Sequence, residues 1–161
     1  MKDFYLKLPQ NRNEFVLFLL IVSIISVNII APIIGMLETG FTIQHYKQVL
    51  AVIPEMWLSI IIVVLLASKP ASFLKESIVS EKDSFNTQIT INILCNVLIV
   101  SAVMTMIGTW IGQQQVFTLP LHTYFNNWPR NFAIAFVVEA VIAQPIARQV
   151  LLYHHLKAIK N

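Results

Sequence analysis

Four long apolar runs, separated by short polar segments, dominate the chain of 161 residues. Each run is close to or above the roughly 20 apolar residues that an α-helix needs to cross a bilayer. In each run the apolar residues are continuous, whereas the strands of a membrane barrel have apolar and polar residues at alternate positions. This pattern favours spanning helices. The pattern predicts an all-α membrane protein, one domain over 1–161, with transmembrane helices at about 15–37, 50–68, 88–111 and 131–150.

The composition agrees with this interpretation and excludes a soluble globule. Hydrophobic residues make up 57% of the chain and charged residues only 12%, whereas about 25% of an ordinary soluble domain is charged. So few polar residues cannot cover the surface of a soluble protein, and a disordered chain would be poor in apolar residues. The single cysteine, Cys95, lies inside an apolar run, so no disulfide framework is predicted.

The basic residues fall on one side of the predicted topology. Nine of the 11 Lys and Arg residues lie before the first run, between the second and third, or after the fourth: Lys2, Lys7, Arg12, Lys69, Lys75, Lys82, Arg148, Lys157 and Lys160. Cytoplasmic segments carry such an excess, so both termini are predicted to be cytoplasmic. Charges spread along a membrane surface bind lipid headgroups, which makes the lipid bilayer the expected partner and argues against nucleic acid.

The second and fourth runs carry prolines at matching places. Pro54 and Pro70 are 16 residues apart, as are Pro129 and Pro145. Each first proline is expected in the first turn of its helix and each second one at the helix end. The match indicates a duplicated helical hairpin, a parallel repeat whose copies are related by an axis along the membrane normal. The predicted boundaries are 9–75 for repeat one and 84–157 for repeat two.

Two short motifs in these units resemble a known family. Residues 8–15 (LPQNRNEF) open a helix with a Pro-x-Asn-x-x-Glu stretch, and residues 141–148 (VIAQPIAR) contain an apolar-x-Pro-apolar-Ala-Arg turn. Both resemble motifs of small bacterial membrane proteins in domain-of-unknown-function family 2798, and the chain resembles two tandem copies of that unit. The opening motif is clear only in the first copy. The resemblance implies a multi-pass protein of the bacterial plasma membrane and supplies no activity.

Glu139 is the acid nearest the middle of a predicted span. It lies midway between Arg130 and Arg148, about 13 Å along the helix from each, where a charged side chain costs about 2.5–3.5 kcal/mol. One interpretation is a proton- or cation-binding site. The other is a neutral acid hydrogen-bonded to a neighbouring helix. The polar residues expected beside it, as site lining or as hydrogen-bond partners, are Asn28, Asn92, Asn96 and Ser101.

Other polar and aromatic residues have predicted places near the helix ends. Glu55 and Arg130 each follow a proline at the outer end of a helix. The pseudo-symmetry would place them opposite each other, where they could pair as a gate. Alternatively, each side chain extends to the lipid headgroups. Asn11 and Glu14 have the spacing of a capping box at the start of the first helix. The tryptophans are expected in the aromatic belts at the membrane interfaces: Trp57, Trp110 and Trp128.

No catalytic or metal-binding arrangement is predicted. The sequence has no phosphate-binding glycine loop, no nucleophile elbow and no paired cysteines, so neither an enzyme nor a cofactor is expected. His154 and His155 are adjacent, so they point in different directions on a helix, and no acid or cysteine accompanies them in the sequence. No metal site is therefore expected there.

Two functional hypotheses remain open. The first is a small proton- or cation-coupled transporter of an unknown small molecule, working as a homodimer because four helices enclose little volume. The second is a non-transporting membrane protein that binds, stabilises or regulates a partner. The environment of Glu139 is the feature that distinguishes them, because transport requires access to that carboxyl from one side of the membrane.

Overall fold

The computed structural model of the chain describes residues 7–80, 83–113 and 121–160. In these ranges the elements are α1 (Arg12–Thr39), α2 (Ile43–Ile78), α3 (Phe85–Gln113), α4 (Leu121–Val138) and α5 (Gln144–Lys160), with a π-helical turn at Glu139–Ala143 between α4 and α5. Because the π turn joins α4 and α5 without a break, the whole stretch 121–160 is called the last helix. Four helical segments are long and apolar enough to cross a membrane, so the predicted all-α membrane fold is confirmed.

The helices form an up-down-up-down bundle. Each helix packs against the next in the chain, and α1 closes the bundle against α4, the π turn and α5. Small side chains allow close approach at both kinds of contact. Val22 of α1 packs on Ala143 and Ala147 of the last helix, while Ala67 of α2 packs with Val100 of α3. α1 therefore begins, and the last helix ends, at the same end of the bundle, as the predicted topology requires. Lys2 and Lys82, which contributed to the predicted orientation, lie outside the described residues.

The prolines do not end the helices as predicted. Pro54 and Pro70 both lie inside α2, and Pro129 lies inside α4. The expectation was wrong because of the apolar environment. A proline inside a helix leaves one backbone hydrogen bond unmade, and this costs less free energy than ending the helix there, which would expose several backbone groups to lipid. Pro145 follows the π turn directly. Since a proline ring collides with the carbonyl four residues earlier, the wider turn gives it room.

A glycine sets the distance between α1 and α2. A Cβ atom added at Gly35 would lie 2.5 Å from Cγ2 of Val49, far inside contact distance. Val49 is β-branched and stiff about χ1, so it cannot easily turn away. Gly40 then reverses the chain with a φ of 101°, a conformation that favours glycine. These two positions determine how closely the first hairpin packs.

Candidate functional site

Polar contacts join α1 to the last helix at three levels. On α1 the residues are Glu14, Ser26 and Glu38, and on the last helix they are Arg130, Asn131, Glu139 and His155. We call this set the polar interface. Its three α1 residues are spaced 12 apart in the sequence, about 18 Å per step, so the set extends along the whole thickness of a bilayer. Glu14, Ser26, Asn131 and His155 are buried, Glu139 and Arg130 are half-buried, and Glu38 is exposed. Buried polar groups are costly unless they are paired, and each of the four buried ones has a partner.

The central level is a contact between Ser26 and Glu139. The Ser26 hydroxyl, which is fully buried, donates to Oε1 of Glu139 at 2.5 Å. Glu139 is the first residue of the π turn, and its backbone carbonyl accepts from the N–H of Gln144, five residues on. Turns of this kind inside α-helices are frequently found at functional sites. Glu139 lies on the last helix, as its position in the sequence predicts, whereas its partner Ser26 is not among the predicted ones.

The asparagines expected beside Glu139 have other environments. Asn28 is exposed and its Nδ2 donates to the carbonyl of Ile24 in its own helix, 2.8 Å away. It is two residues from Ser26, and positions two apart point to nearly opposite sides of a helix. Asn92 is exposed as well. Asn96 is half-buried, and among the described residues its Oδ1 is a buried atom with no hydrogen-bond partner.

Two tryptophans form the same contact in the two hairpins. The Trp57 indole N–H donates to Oγ of Ser23 at 2.9 Å, and the Trp128 indole N–H donates to Oγ of Ser101 at 3.2 Å. Each serine is buried, and each donates to the carbonyl three residues before it. Both indoles therefore point into the bundle, rather than only marking an interface as expected. Ser101, predicted beside Glu139, is instead bonded to Trp128.

The outer level is built around Glu38. Its Oε1 accepts from Nη2 of Arg130 at 3.1 Å and from Nδ2 of Asn131 at 3.4 Å. Asn131 is buried and also donates to Oγ1 of Thr105 at 3.3 Å. The predicted pairing of Arg130 with Glu55 is wrong, because Glu55 is exposed on α2. The bundle order explains the difference, since α1, and not α2, packs against α4.

The level at the opposite end of the bundle from Glu38, called the inner level, brings the start of α1 close to the end of the last helix. Oδ1 of Asn11 accepts from the N–H of Glu14 at 2.9 Å, so these residues cap α1 where the sequence placed the cap. The Glu14 carboxylate also accepts from the N–H of Gln10 at 2.6 Å. Its Oε2 lies 3.1 Å from Nε2 of His155. The expectation that no acid accompanies the histidines is therefore wrong. It was based on neighbours in the sequence, whereas Glu14 comes from the other end of the chain. The predicted topology puts both termini on one side of the membrane, and this signal could have shown that Glu14 lies near the histidines.

Most of the second half of the chain is similar to a known family. Residues 87–153 match the profile of a family described as Domain of unknown function (DUF2798). The matched segment contains nearly all of α3, together with α4, the π turn and Glu139. The match is to the family that the sequence motifs resemble, whereas the tandem copy in the first half of the chain stays a prediction. No curated protein and no solved structure matches the chain. The description of the matched family names no activity.

Proposed function

We propose that the protein is a small proton-coupled membrane transporter in which Glu139 exchanges a proton for a small cationic substrate. The observation that carries the proposal is the position of Glu139, on a π turn at the central level of the polar interface and bonded to Ser26. An ionised acid at this depth costs about 2.5–3.5 kcal/mol. A carboxyl group there can avoid that cost in two ways, by holding a proton or by binding a cation, and alternation between them couples the two.

The inner and outer levels of the polar interface lie on either side of Glu139, which supports a mechanism of alternating access. A transporter needs a barrier on each side of its binding site, and only one of them opens at a time. The contact between Glu14 and His155 lies on one side of Glu139, and the ion pair of Glu38 with Arg130 lies on the other. With both contacts made, the arrangement corresponds to a closed state. Separation of one pair would open the path to Glu139 from that end.

The proposal includes the predicted orientation and symmetry. Both termini would be cytoplasmic in a bacterial plasma membrane, following the distribution of Lys and Arg. The matching bonds of Trp57 and Trp128 to buried serines support descent of the two hairpins from one unit. A homodimer would enlarge the enclosed volume beyond what four helices offer. No catalytic step enters this proposal.

Flux measurements in vesicles test the proposal. The purified protein is reconstituted into proteoliposomes that contain a pH-sensitive dye, and small amines, quaternary ammonium ions and alkali cations are added outside in turn. We expect one class to drive proton movement in the wild type and Glu139→Gln to abolish it, because an amide cannot exchange a proton for a cation. Glu55→Gln is the matched control, since Glu55 is an exposed acid on α2, and it should leave the flux unchanged.

Two outcomes would contradict transport through Glu139. One is equal proton-linked flux in the wild type and in Glu139→Gln for every class of cation. The other is an absence of flux in the wild type with all of them, while the reconstituted protein retains its helical circular dichroism spectrum.

A second candidate function rests on the exposure of α2. In its most apolar stretch only 6% of residues are buried, against 22–33% in the other three spans. This helix is therefore the least buried of the four spans, which supports a protein that binds or regulates another within the membrane. Cysteine cross-linking at Leu66, which is 73% exposed, tests this candidate with Leu66→Cys in a Cys95→Ala background. A specific cross-linked product in native membranes would support it, and reaction with lipid-dissolved reagents alone would contradict it.

A further inference from the structure

Three side chains that can bind a metal ion meet at the inner end of the bundle. They are Glu14 on α1 and His154 and His155 on α5, and their ligand atoms all lie within 4.8 Å of one another. Among the described residues, no other three His, Cys, Asp or Glu side chains come this close together. Glu14 and His155 are buried, whereas His154 is exposed. We propose that this cluster is a binding site for a divalent transition-metal ion of the Zn²⁺ type. The proposal does not depend on transport through Glu139.

The donor set fits the chemistry of zinc. Two imidazole nitrogens and one carboxylate oxygen are a common set of protein ligands for Zn²⁺, and the fourth tetrahedral position is then open to water or another ligand. Bonds of about 2.0–2.2 Å place neighbouring ligand atoms of a tetrahedral site about 3.3 Å apart. The distance of 3.1 Å between Oε2 of Glu14 and Nε2 of His155 is already close to this value. A ligand atom of His154 lies within 4.8 Å of those of the other two residues, and its side chain is exposed.

The surroundings of Glu14 hold its carboxylate in place for such a site. Oε2 accepts from the N–H of Gln10, and Oε1 accepts from Nδ2 of Asn11 at 2.8 Å. Hydrogen bonds of this kind to a ligating carboxylate fix its direction and are part of most metal sites. The residues that cap α1 therefore have a second role, because they hold the carboxylate that would bind the metal ion. A bound ion would connect the first and last helices at the inner end of the bundle.

Metal titration of the detergent-solubilised full chain tests the proposal. The protein is purified without a polyhistidine tag, stripped with a chelator and titrated with Zn²⁺ against a chromogenic competitor; Co²⁺ absorption then reports tetrahedral coordination. We expect one ion per chain, with a Kd raised about tenfold or more in His154→Ala and in Glu14→Gln, because each variant lacks one of three ligands. The matched control is His45→Ala, which removes a histidine outside the cluster and should leave the Kd unchanged.

The variants separate a lost ligand from a lost fold. His154 is exposed, so its replacement should leave the thermal stability of the metal-free protein as in the wild type. A wild type that binds no Zn²⁺ stoichiometrically would overturn the proposal. So would binding that is unaffected by His154→Ala and Glu14→Gln, or binding that His45→Ala weakens as much as His154→Ala does.

Discussion

Ser26→Ala is the substitution that most sharply tests the central contact of the bundle. It removes the hydroxyl that donates to Oε1 of Glu139 and changes the side-chain volume only slightly. Because Ser26 is fully buried, no water can replace the lost donor without entering the bundle. The carboxyl group of Glu139 is then left with a weaker set of partners.

The expected cost follows from the surroundings of the bond. Hydrogen bonds between helices in membranes are worth about 0.6 kcal/mol on average and about 1.7 kcal/mol at most. The bond between Ser26 and Glu139 belongs near the upper end, because it is short and its acceptor is a carboxyl group. We therefore expect Ser26→Ala to lower the free energy of unfolding by about 1–2 kcal/mol.

A double-mutant cycle isolates this contribution. Unfolding is followed through tryptophan fluorescence in mixed micelles for the wild type, Ser26→Ala, Glu139→Leu and the double variant. In the Glu139→Leu background the serine has lost its partner, so its replacement should cost little and the coupling energy should be about 1 kcal/mol. Ser68→Ala is the control, since Ser68 is exposed and bonds to its own helix. A coupling energy below about 0.3 kcal/mol, within the scatter of additive sites, would refute the reasoning.

Three further predictions concern the cap, the helix contact and the paired tryptophans. Asn11→Ala should lower the free energy of unfolding by about 1 kcal/mol through loss of the α1 cap, measured by the same assay. Gly35→Ala should cost about 1–3 kcal/mol by overpacking, and Val49→Ala combined with it should recover much of this loss; no recovery would refute the proposed clash. Trp57→Phe and Trp128→Phe should each cost about 0.6–1.7 kcal/mol, and an effect confined to one of them would argue against equivalent hairpins.

Much of the fold could be predicted from the sequence because the bilayer makes strong demands on composition. Runs of about 20 apolar residues have few structural alternatives, so the number and order of the spans followed directly. The cap at Asn11 and Glu14 was equally accessible, since a capping box depends on neighbours three residues apart. Glu139 could be singled out because an acid at mid-membrane depth is rare and costly.

The partners of these residues could not be predicted because they depend on helix rotation and bundle order. Ser26 and Asn28 are two residues apart on α1 and so lie on nearly opposite faces of the helix. Hydropathy alone does not show which of the two faces Glu139. The pairing of Arg130 with Glu38 instead of Glu55 required knowing that α1 closes against the last helix. The π turn at Glu139 likewise has no counterpart in the periodicity of the sequence, although Pro145 follows it directly.

The protonation state of Glu139 tests the proposed function most directly. Infrared difference spectroscopy on the protein in lipid nanodiscs detects the C=O stretch of a protonated carboxyl group, and Glu139→Gln identifies the band that belongs to this residue. The account predicts a Glu139 band that disappears when the transported cation is added and returns when it is removed. A band that stays constant with every cation class and across acidic and alkaline pH would contradict it, and would leave Glu139 as a structural link to Ser26.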